Sequence, residues 1–174
     1  MNGAVLVSEF DFVLPPHLLA TRPVEPRDQA RLLVHDRGTR ATTHARVADL
    51  GTFLRAGDLL VLNDTRVQPW RLRGRRTSGG AVECLLVRLD GDAGEALVKP
   101  SKRLRPGEAL AMEDGALTLQ LRATMGEGRW SVALQASQGT VAEALERCGR
   151  APLPPYIVRD GSEDVAADRA RYQT

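Results

Sequence analysis

The chain has 174 residues, 43% of them hydrophobic and 26% charged, with a formal net charge of +2. These proportions exclude a disordered polypeptide and fit one globular domain or slightly more. No apolar stretch approaches the ~20 residues of a membrane-spanning helix, and the apolar run at residues 4–7 is too short and lacks the basic flank of a secretory signal. Cys84 and Cys148 form neither a metal-spacing pair nor a disulfide framework, which points to a reducing cytoplasm. Arginine supplies all but two of the 24 basic residues. Its planar fork suits phosphate and carboxylate recognition, although a GC-rich codon bias explains most of the excess. Aromatic residues are 4% of the chain, which argues against a base-stacking single-strand binder as the whole account.

Leu14-Pro15-Pro16 followed by His17-Leu18-Leu19-Ala20 reads as a short helix with proline in its first turn. Arg22-Pro23 and Glu25-Pro26 force an extended connection. Residues 32–34 and 41–47 predict two strands, with Asp36-Arg37-Gly38-Thr39 as their turn, glycine being the residue expected to take a positive φ. Residues 50–54 predict a helix of one or two turns. Leu59, Leu60, Val61 and Leu62 read as a buried strand delivering Asn63-Asp64-Thr65-Arg66 at its C-terminal end.

Residues 72–76, 82–89 and 96–98 are further short strand patterns. The clearest periodicity follows. Leu117, Leu119, Leu121 and Ala123 alternate with polar residues, as do Trp130, Val132 and Leu134, and Met125-Gly126-Glu127-Gly128 joins the two runs. This is a hairpin with one buried face, and several strands at such spacing predict a small barrel or sandwich. Thr140 and Glu143 then form a capping box. Val141, Ala144, Leu145 and Cys148 make one apolar helical stripe, with Gly149 as its stop. Both cysteines read as packed residues rather than nucleophiles. Pro152-Leu153-Pro154-Pro155-Tyr156 must be extended, and residues 166–171 allow a closing helix.

Dinucleotide, P-loop, zinc-protease and serine-elbow motifs are absent. His17, His35 and His44 have no metal-ligand spacing and support no catalytic triad. His35 and His44 could meet across the hairpin, although exposed positions fit them better. Three polar clusters remain. Arg27-Asp28 with Arg31 is either an ion pair locking a loop or a binding site. Asn63-Asp64-Thr65-Arg66 collects an amide, an acid, a hydroxyl and a guanidinium where ligand sites of α/β proteins gather. It equally fits an Asx turn in which Asp64 caps the backbone and Arg66 is solvated. Lys99-Pro100-Ser101-Lys102-Arg103 with Arg105 is either a solvated charge run or a phosphate-contact loop.

Together these segments resemble the S-adenosylmethionine:tRNA ribosyltransferase-isomerases of queuosine biosynthesis. The resemblance rests on Phe10-Asp11-Phe12-Val13-Leu14-Pro15, Arg27-Asp28 with Arg31-Leu32-Leu33-Val34, and Gly57-Asp58-Leu59-Leu60-Val61-Leu62-Asn63-Asp64-Thr65-Arg66-Val67. Gly79-Gly80, Glu83, residues 96–102 and 152–157, and Arg171-Tyr172-Gln173-Thr174 follow in the family's order. In the family a tyrosine-glutamine-threonine segment lies near mid-chain, so the sequence looks like the N-terminal half of a longer enzyme. Trp70 stands where the family has a smaller residue.

The resemblance implies an α+β, β-rich fold in which a small antiparallel β-barrel, residues 67–150, is inserted into an incomplete α/β barrel-like domain made by residues 1–66 and 151–174. It implies S-adenosylmethionine as ribosyl donor and no metal. The acceptor is tRNA carrying 7-aminomethyl-7-deazaguanine at the wobble position, and the products are epoxyqueuosine, adenine and methionine. The sulfonium acidifies the neighbouring C–H, so a base must sit nearby. On this resemblance Asp64 is the polar or general-base contributor and Asn63 and Thr65 orient substrate. Arg66 and Arg27, beside Asp28, bind an anion or the methionine carboxylate. Tyr172 and Gln173 line the cleft, and Lys99, Lys102 and Arg103 hold RNA phosphate. A cytoplasmic monomer is expected, inactive as this chain alone. A non-catalytic RNA- or partner-binding β-barrel module is the alternative.

Overall fold

A computed structural model describes residues 5–159 and 165–173. Thr174 of the predicted tyrosine-glutamine-threonine segment and the first four residues lie outside them. The chain divides into two compact units: Met1–Leu62 with Pro155–Val158, and Asn63–Pro154 with Arg159–Thr174.

In the first unit, 3₁₀ turns at Val7–Phe10, Pro16–Leu18 and Arg27–Gln29 precede an antiparallel hairpin of β1 (Arg31–His35) and β2 (Thr42–Arg46), followed by a 3₁₀ segment at Val47–Phe53. Asp36 closes the hairpin turn by accepting the Thr39 N–H at 2.7 Å. That hydrogen bond holds the Asp36 pKa below its ordinary value. The positive φ of this turn falls on Arg40 at 58°, not on Gly38 as expected. The Asp36 side chain does the turning that glycine was expected to do. The histidines do not meet either: His44 stands opposite Leu33, and His35 opposite Thr42, whose hydroxyl lies 3.0 Å from His35 Nδ1.

The expected buried strand at residues 59–62 is not one. These residues are 54–87% exposed and belong to no sheet, because β1 and β2 pair only with each other. A strand needs a neighbour for its N–H and C=O groups, and an apolar run does not itself supply one. Among described residues 5–62 none is buried.

The second unit holds the core. Six antiparallel strands, β3 (Arg71–Arg76), β4 (Ala81–Asp90), β5 (Ala93–Lys99), β6 (Ala109–Met112), β7 (Leu117–Gly126) and β8 (Arg129–Ala136), close into a barrel in the order β3-β4-β5-β8-β7-β6. The predicted alternation sets its lining. Leu117, Leu119, Leu121, Val132, Val98, Cys84 and Leu72 are fully buried, and Trp130 and Leu134 nearly so. The chain is β-rich, as expected. β6, which sequence reading missed, is four residues long, and its two inward side chains, Leu110 and Met112, are both fully buried. Register shifts at Leu86/Arg88, Leu121/Ala123 and Thr124/Gly126 bend the strands around the barrel. The β7–β8 tip runs through Gly126, Glu127 and Gly128, all at positive φ. Closure occurs where Gly74 of β3 faces Met112 of β6. A Cβ on Gly74 would run into the Ala111 carbonyl oxygen and the Met112 sulfur, so only glycine permits this approach.

Helix α1 (Val141–Cys148) packs on β8. Its capping box forms as predicted: Thr140 Oγ1 accepts from Glu143 N–H at 3.2 Å, and the Glu143 carboxylate accepts from Thr140 N–H at 2.8 Å. Gly149 ends the helix for a reason other than the left-handed cap. Its φ is −65°, and a Cβ there would run into the Pro69 carbonyl. A second helix, α2 (Val165–Arg171), closes the unit. Cys84 is inert: burial pushes its thiol up to about 12. Half-buried Cys148 has its pKa raised by burial too, and its thiol donates to the Ala144 carbonyl.

Two stability measurements follow. Leu119→Ala empties a fully buried site and is expected to cost about 2–5 kcal/mol in urea unfolding. Gly149→Ala should destabilise through the Pro69 contact; an unchanged midpoint would contradict the packing described. For pH, Glu108 is bound by Arg76 at 2.6 Å. The hydrogen bond from Arg76 holds the Glu108 carboxyl below its ordinary pKa. A depressed carboxylate stabilises the fold above its unfolded pKa and loses that contribution as pH falls through the folded value. Glu108→Gln should therefore be less stable than the parent at pH 7, with the gap narrowing under acid, as read by denaturant midpoints across pH.

Candidate functional site

The polar tetrapeptide opens the barrel-bearing unit. Asn63 Oδ1 accepts the Thr65 N–H at 2.9 Å, so the Asx turn is closed by Asn63 and not by Asp64. The Asp64 side chain is exposed. Arg66 is not simply solvated. Its Nη2 lies 3.2 Å from Glu146 Oε1 of α1, with the two side chains 69% and 51% exposed.

The next residue is held from both sides. Val67 N–H donates to Gln173 Oε1 at 2.9 Å, and Gln173 Nε2 donates to the Val67 carbonyl at 3.3 Å. The same Nε2 donates to the Arg169 carbonyl one turn back, at 2.9 Å. Arg169 in turn donates to the carbonyls of Glu146 at 2.6 Å and Leu145 at 3.0 Å. It thus satisfies open acceptors at the C-terminal end of α1 and places its positive charge at the negative end of that helix. These residues line an open groove of about 350 Å³ formed by Arg66, Val67, Pro69, Glu146, Arg169 and Gln173, with alanines completing its wall. Arg66 and Gln173, both picked out from the sequence, are brought together here. Tyr172 points elsewhere: its hydroxyl accepts from Arg159 at 3.4 Å. Arg159 also binds Asp168 in a bidentate pair at 2.8 and 2.9 Å. That pair raises the Arg159 pKa above its ordinary value.

A second, larger groove of about 680 Å³ runs along the barrel, lined by Arg73, Arg75, Glu83, Lys99, Glu113 and Arg150 among others. Across the sheet Arg73, Glu83 and Lys99 stand in one register row. Glu113, whose side chain is 8% exposed, pairs with Arg150 at 3.4 Å and accepts the Arg73 N–H at 2.7 Å. It replaces a strand partner where β6 has already ended. Lys99, Lys102 and Arg103 are exposed at the end of β5 and in the turn beyond it. The Arg103 carbonyl accepts from Arg76 at 3.0 Å.

Arg27 and Asp28 lie in the 3₁₀ turn of the other unit, and no ion pair joins them among the described residues. Sequence reading missed Glu113, Glu146, Arg150 and Arg169. The available signal was the four-residue spacing of Arg169, on α2, and Gln173, just past its end; the partners of Glu113 and Arg150 are set only by barrel closure. No group of histidine, cysteine or acidic residues that could hold a metal occurs among the described residues, and none of their helices is long and apolar enough to cross a membrane.

A family model described as queuosine biosynthesis protein matches residues 7–174. The chain belongs to this family. The resemblance carried by the ordered motifs is thereby borne out. An S-adenosylmethionine:tRNA ribosyltransferase-isomerase of Rubrobacter xylanophilus is 46% identical over 166 residues, covering 95% of this chain and 47% of the relative. One of Symbiobacterium thermophilum is 44% identical, covering 97% and 48%. A crystal structure of S-adenosylmethionine tRNA ribosyltransferase from Thermotoga maritima is 38% identical, covering 74% of this chain and 44% of its own, with a TM-score of 0.35. This queuosine biosynthesis family member spans about half the length of the curated relatives it matches.

Proposed function

We propose that this chain is the N-terminal part of a cytoplasmic, monomeric ribosyltransferase-isomerase. It moves the ribosyl group of S-adenosylmethionine to 7-aminomethyl-7-deazaguanine at the tRNA wobble position, yielding epoxyqueuosine, adenine and methionine without a metal. The observation that carries the reading is the family match over residues 7–174 together with relatives of that name at 44–46% identity. In the complete enzyme, residues 1–66 and 151–174 belong to the catalytic domain and residues 67–150 to an inserted barrel. The exposed apolar side chains of residues 5–62 support this reading, since so little burial does not sustain a domain on its own.

The local chemistry fits these roles. Asp64, an exposed carboxylate beside a turn, is the polar or general-base contributor beside the C–H that the sulfonium acidifies. Asn63 and Thr65 orient substrate by hydrogen bonds, and Arg27, beside Asp28, and Arg66 bind an anion or the methionine carboxylate. Gln173 lines the groove beside Arg66, and Tyr172, whose hydroxyl is bound by Arg159 outside that groove, borders the cleft of the complete enzyme. Lys99, Lys102 and Arg103, exposed on the barrel, contact phosphates of the anticodon stem-loop, which positions the splayed bases.

Asp64→Ala in the complete enzyme is expected to lower adenine release by about 10²–10⁴-fold, the usual worth of a positioned acid or base, with an unchanged circular dichroism spectrum. Full turnover by that variant would remove Asp64 from the mechanism. This chain alone, incubated with radiolabelled S-adenosylmethionine and precursor tRNA, should give no turnover. Retained tRNA binding together with an inactive complete enzyme would instead support the binding-module reading. For the basic loop, Lys99→Ala with Lys102→Ala should flatten the dependence of log K on log salt by about 0.7–0.9 for each phosphate that is no longer neutralised. An unchanged slope in filter binding would sink that assignment.

A further inference from the structure

Glu146 stands between two guanidiniums. Arg66 reaches one of its carboxylate oxygens at 3.2 Å and Arg169 the other at 3.9 Å. All three line the open groove of about 350 Å³ beside Gln173. The guanidiniums come from opposite ends of the unit, yet one side chain sets their spacing. Gln173 clasps the backbone of Val67, next to Arg66, and also the carbonyl of Arg169. Arg169 is fixed further by the α1 carbonyls it caps. A guanidinium carries five N–H donors. Arg66 spends one on Glu146, and Arg169 spends two on carbonyls, so each guanidinium keeps donors beyond these bonds.

A site for a plain polyanion would not keep a carboxylate at its centre, since that charge repels phosphate. The pattern of positive, negative, positive matches a small zwitterion instead. The ligand's carboxylate takes the two arginines, and its ammonium takes Glu146. We infer that this groove holds the α-amino-acid end of S-adenosylmethionine, with Arg66 and Arg169 on the carboxylate, Glu146 on the ammonium, and Gln173 as the positioning residue that sets the distance between the arginines. The inference rests on the ribosyltransferase-isomerase reading above and adds to it the half of the cosubstrate that does not react. It also separates the roles of neighbours: Arg66 binds, while Asp64 two residues earlier stays free for the proton.

The test titrates this chain with L-methionine, methionine methyl ester and N-acetylmethionine, followed by nitrogen-15 NMR at the Val67 amide, the Gln173 side-chain amide and the arginine Nε–H groups. Methionine is expected to shift these signals, with the ester and the N-acetyl compound each bound at least about tenfold more weakly. Glu146→Gln should weaken methionine about tenfold while leaving N-acetylmethionine unchanged, and Arg66→Ala should weaken both. Both side chains are more than half exposed, so these variants keep the fold, which circular dichroism checks. Gln173→Glu keeps the acceptor for Val67 and loses the donor. It should retain more methionine affinity than Gln173→Ala. Equal binding of the three compounds, silence at the named signals, or tighter methionine binding by Glu146→Gln would each overturn the site. Adenine release by the complete enzyme is read separately. Its absence would end the transferase reading, whereas methionine affinity unmoved by both charge variants would end this site alone.

Discussion

Closure of the barrel at the β3–β6 seam is the contact on which the rest of the second unit depends. Gly74 lets the two strands approach, and six short strands then have no open edge except at their ends. Those ends are where side chains take over from the ladder. β6 stops at Met112, so the Arg73 N–H turns to Glu113, held in a left-handed turn with Asp114 and Gly115. Glu113 then binds Arg150, whose backbone pairs in both directions with Arg71. The chain therefore leaves the α1 region beside the strand by which it entered the barrel. Entrance and exit are tied at one place, and this tie brings Arg66, Glu146 and Arg169 within reach of one another.

The two units differ in how much apolar surface they hide. The barrel buries a continuous cluster reaching from Leu72 to Leu145, while residues 5–62 leave Phe10, Phe12, Val13 and Leu59–Leu62 largely exposed. The apolar pattern is strong in both, so hydrophobicity alone does not distinguish them. What differs is whether partners for that surface lie within the same stretch of chain. In the barrel each strand finds its neighbours within the unit. For residues 59–62 no such neighbour exists among the described residues.

This contrast also explains what could be read from the sequence. Period-two alternation across Met125–Gly128 specified the β7–β8 hairpin because both strands and their turn are local, and the Thr140–Glu143 capping box specified the start of α1 for the same reason. β6 escaped notice because four residues give only two inward positions. Gly149 was legible as a stop but not for its cause, since Pro69 is far away in sequence. The candidate site divides along the same line. Asn63-Asp64-Thr65-Arg66 stood out by its chemistry, and Gln173 by the family motif, whereas Glu146 has no local signature and Arg169 only its four-residue spacing from Gln173. Their roles appear only once Arg169 of α2 reaches the last carbonyls of α1.

The arginine excess takes on a different meaning in this light. Taken as a count, it invites a phosphate-binding surface. In the fold, Arg71, Arg76, Arg150 and Arg159 each face a carboxylate. These four guanidinium forks fasten strand ends and segment junctions. Exposed pairs of this kind contribute little stability each, but those with half-buried partners fix geometry because a planar fork accepts few orientations. Lys99, Lys102 and Arg103, the residues proposed for a polyanion, have no ion pair among the described residues. The charge left for a small ligand is in Arg66 and Arg169, and there the intervening Glu146 decides the sign: a groove that carries its own carboxylate selects a molecule bringing both charges over one that brings only negative charge.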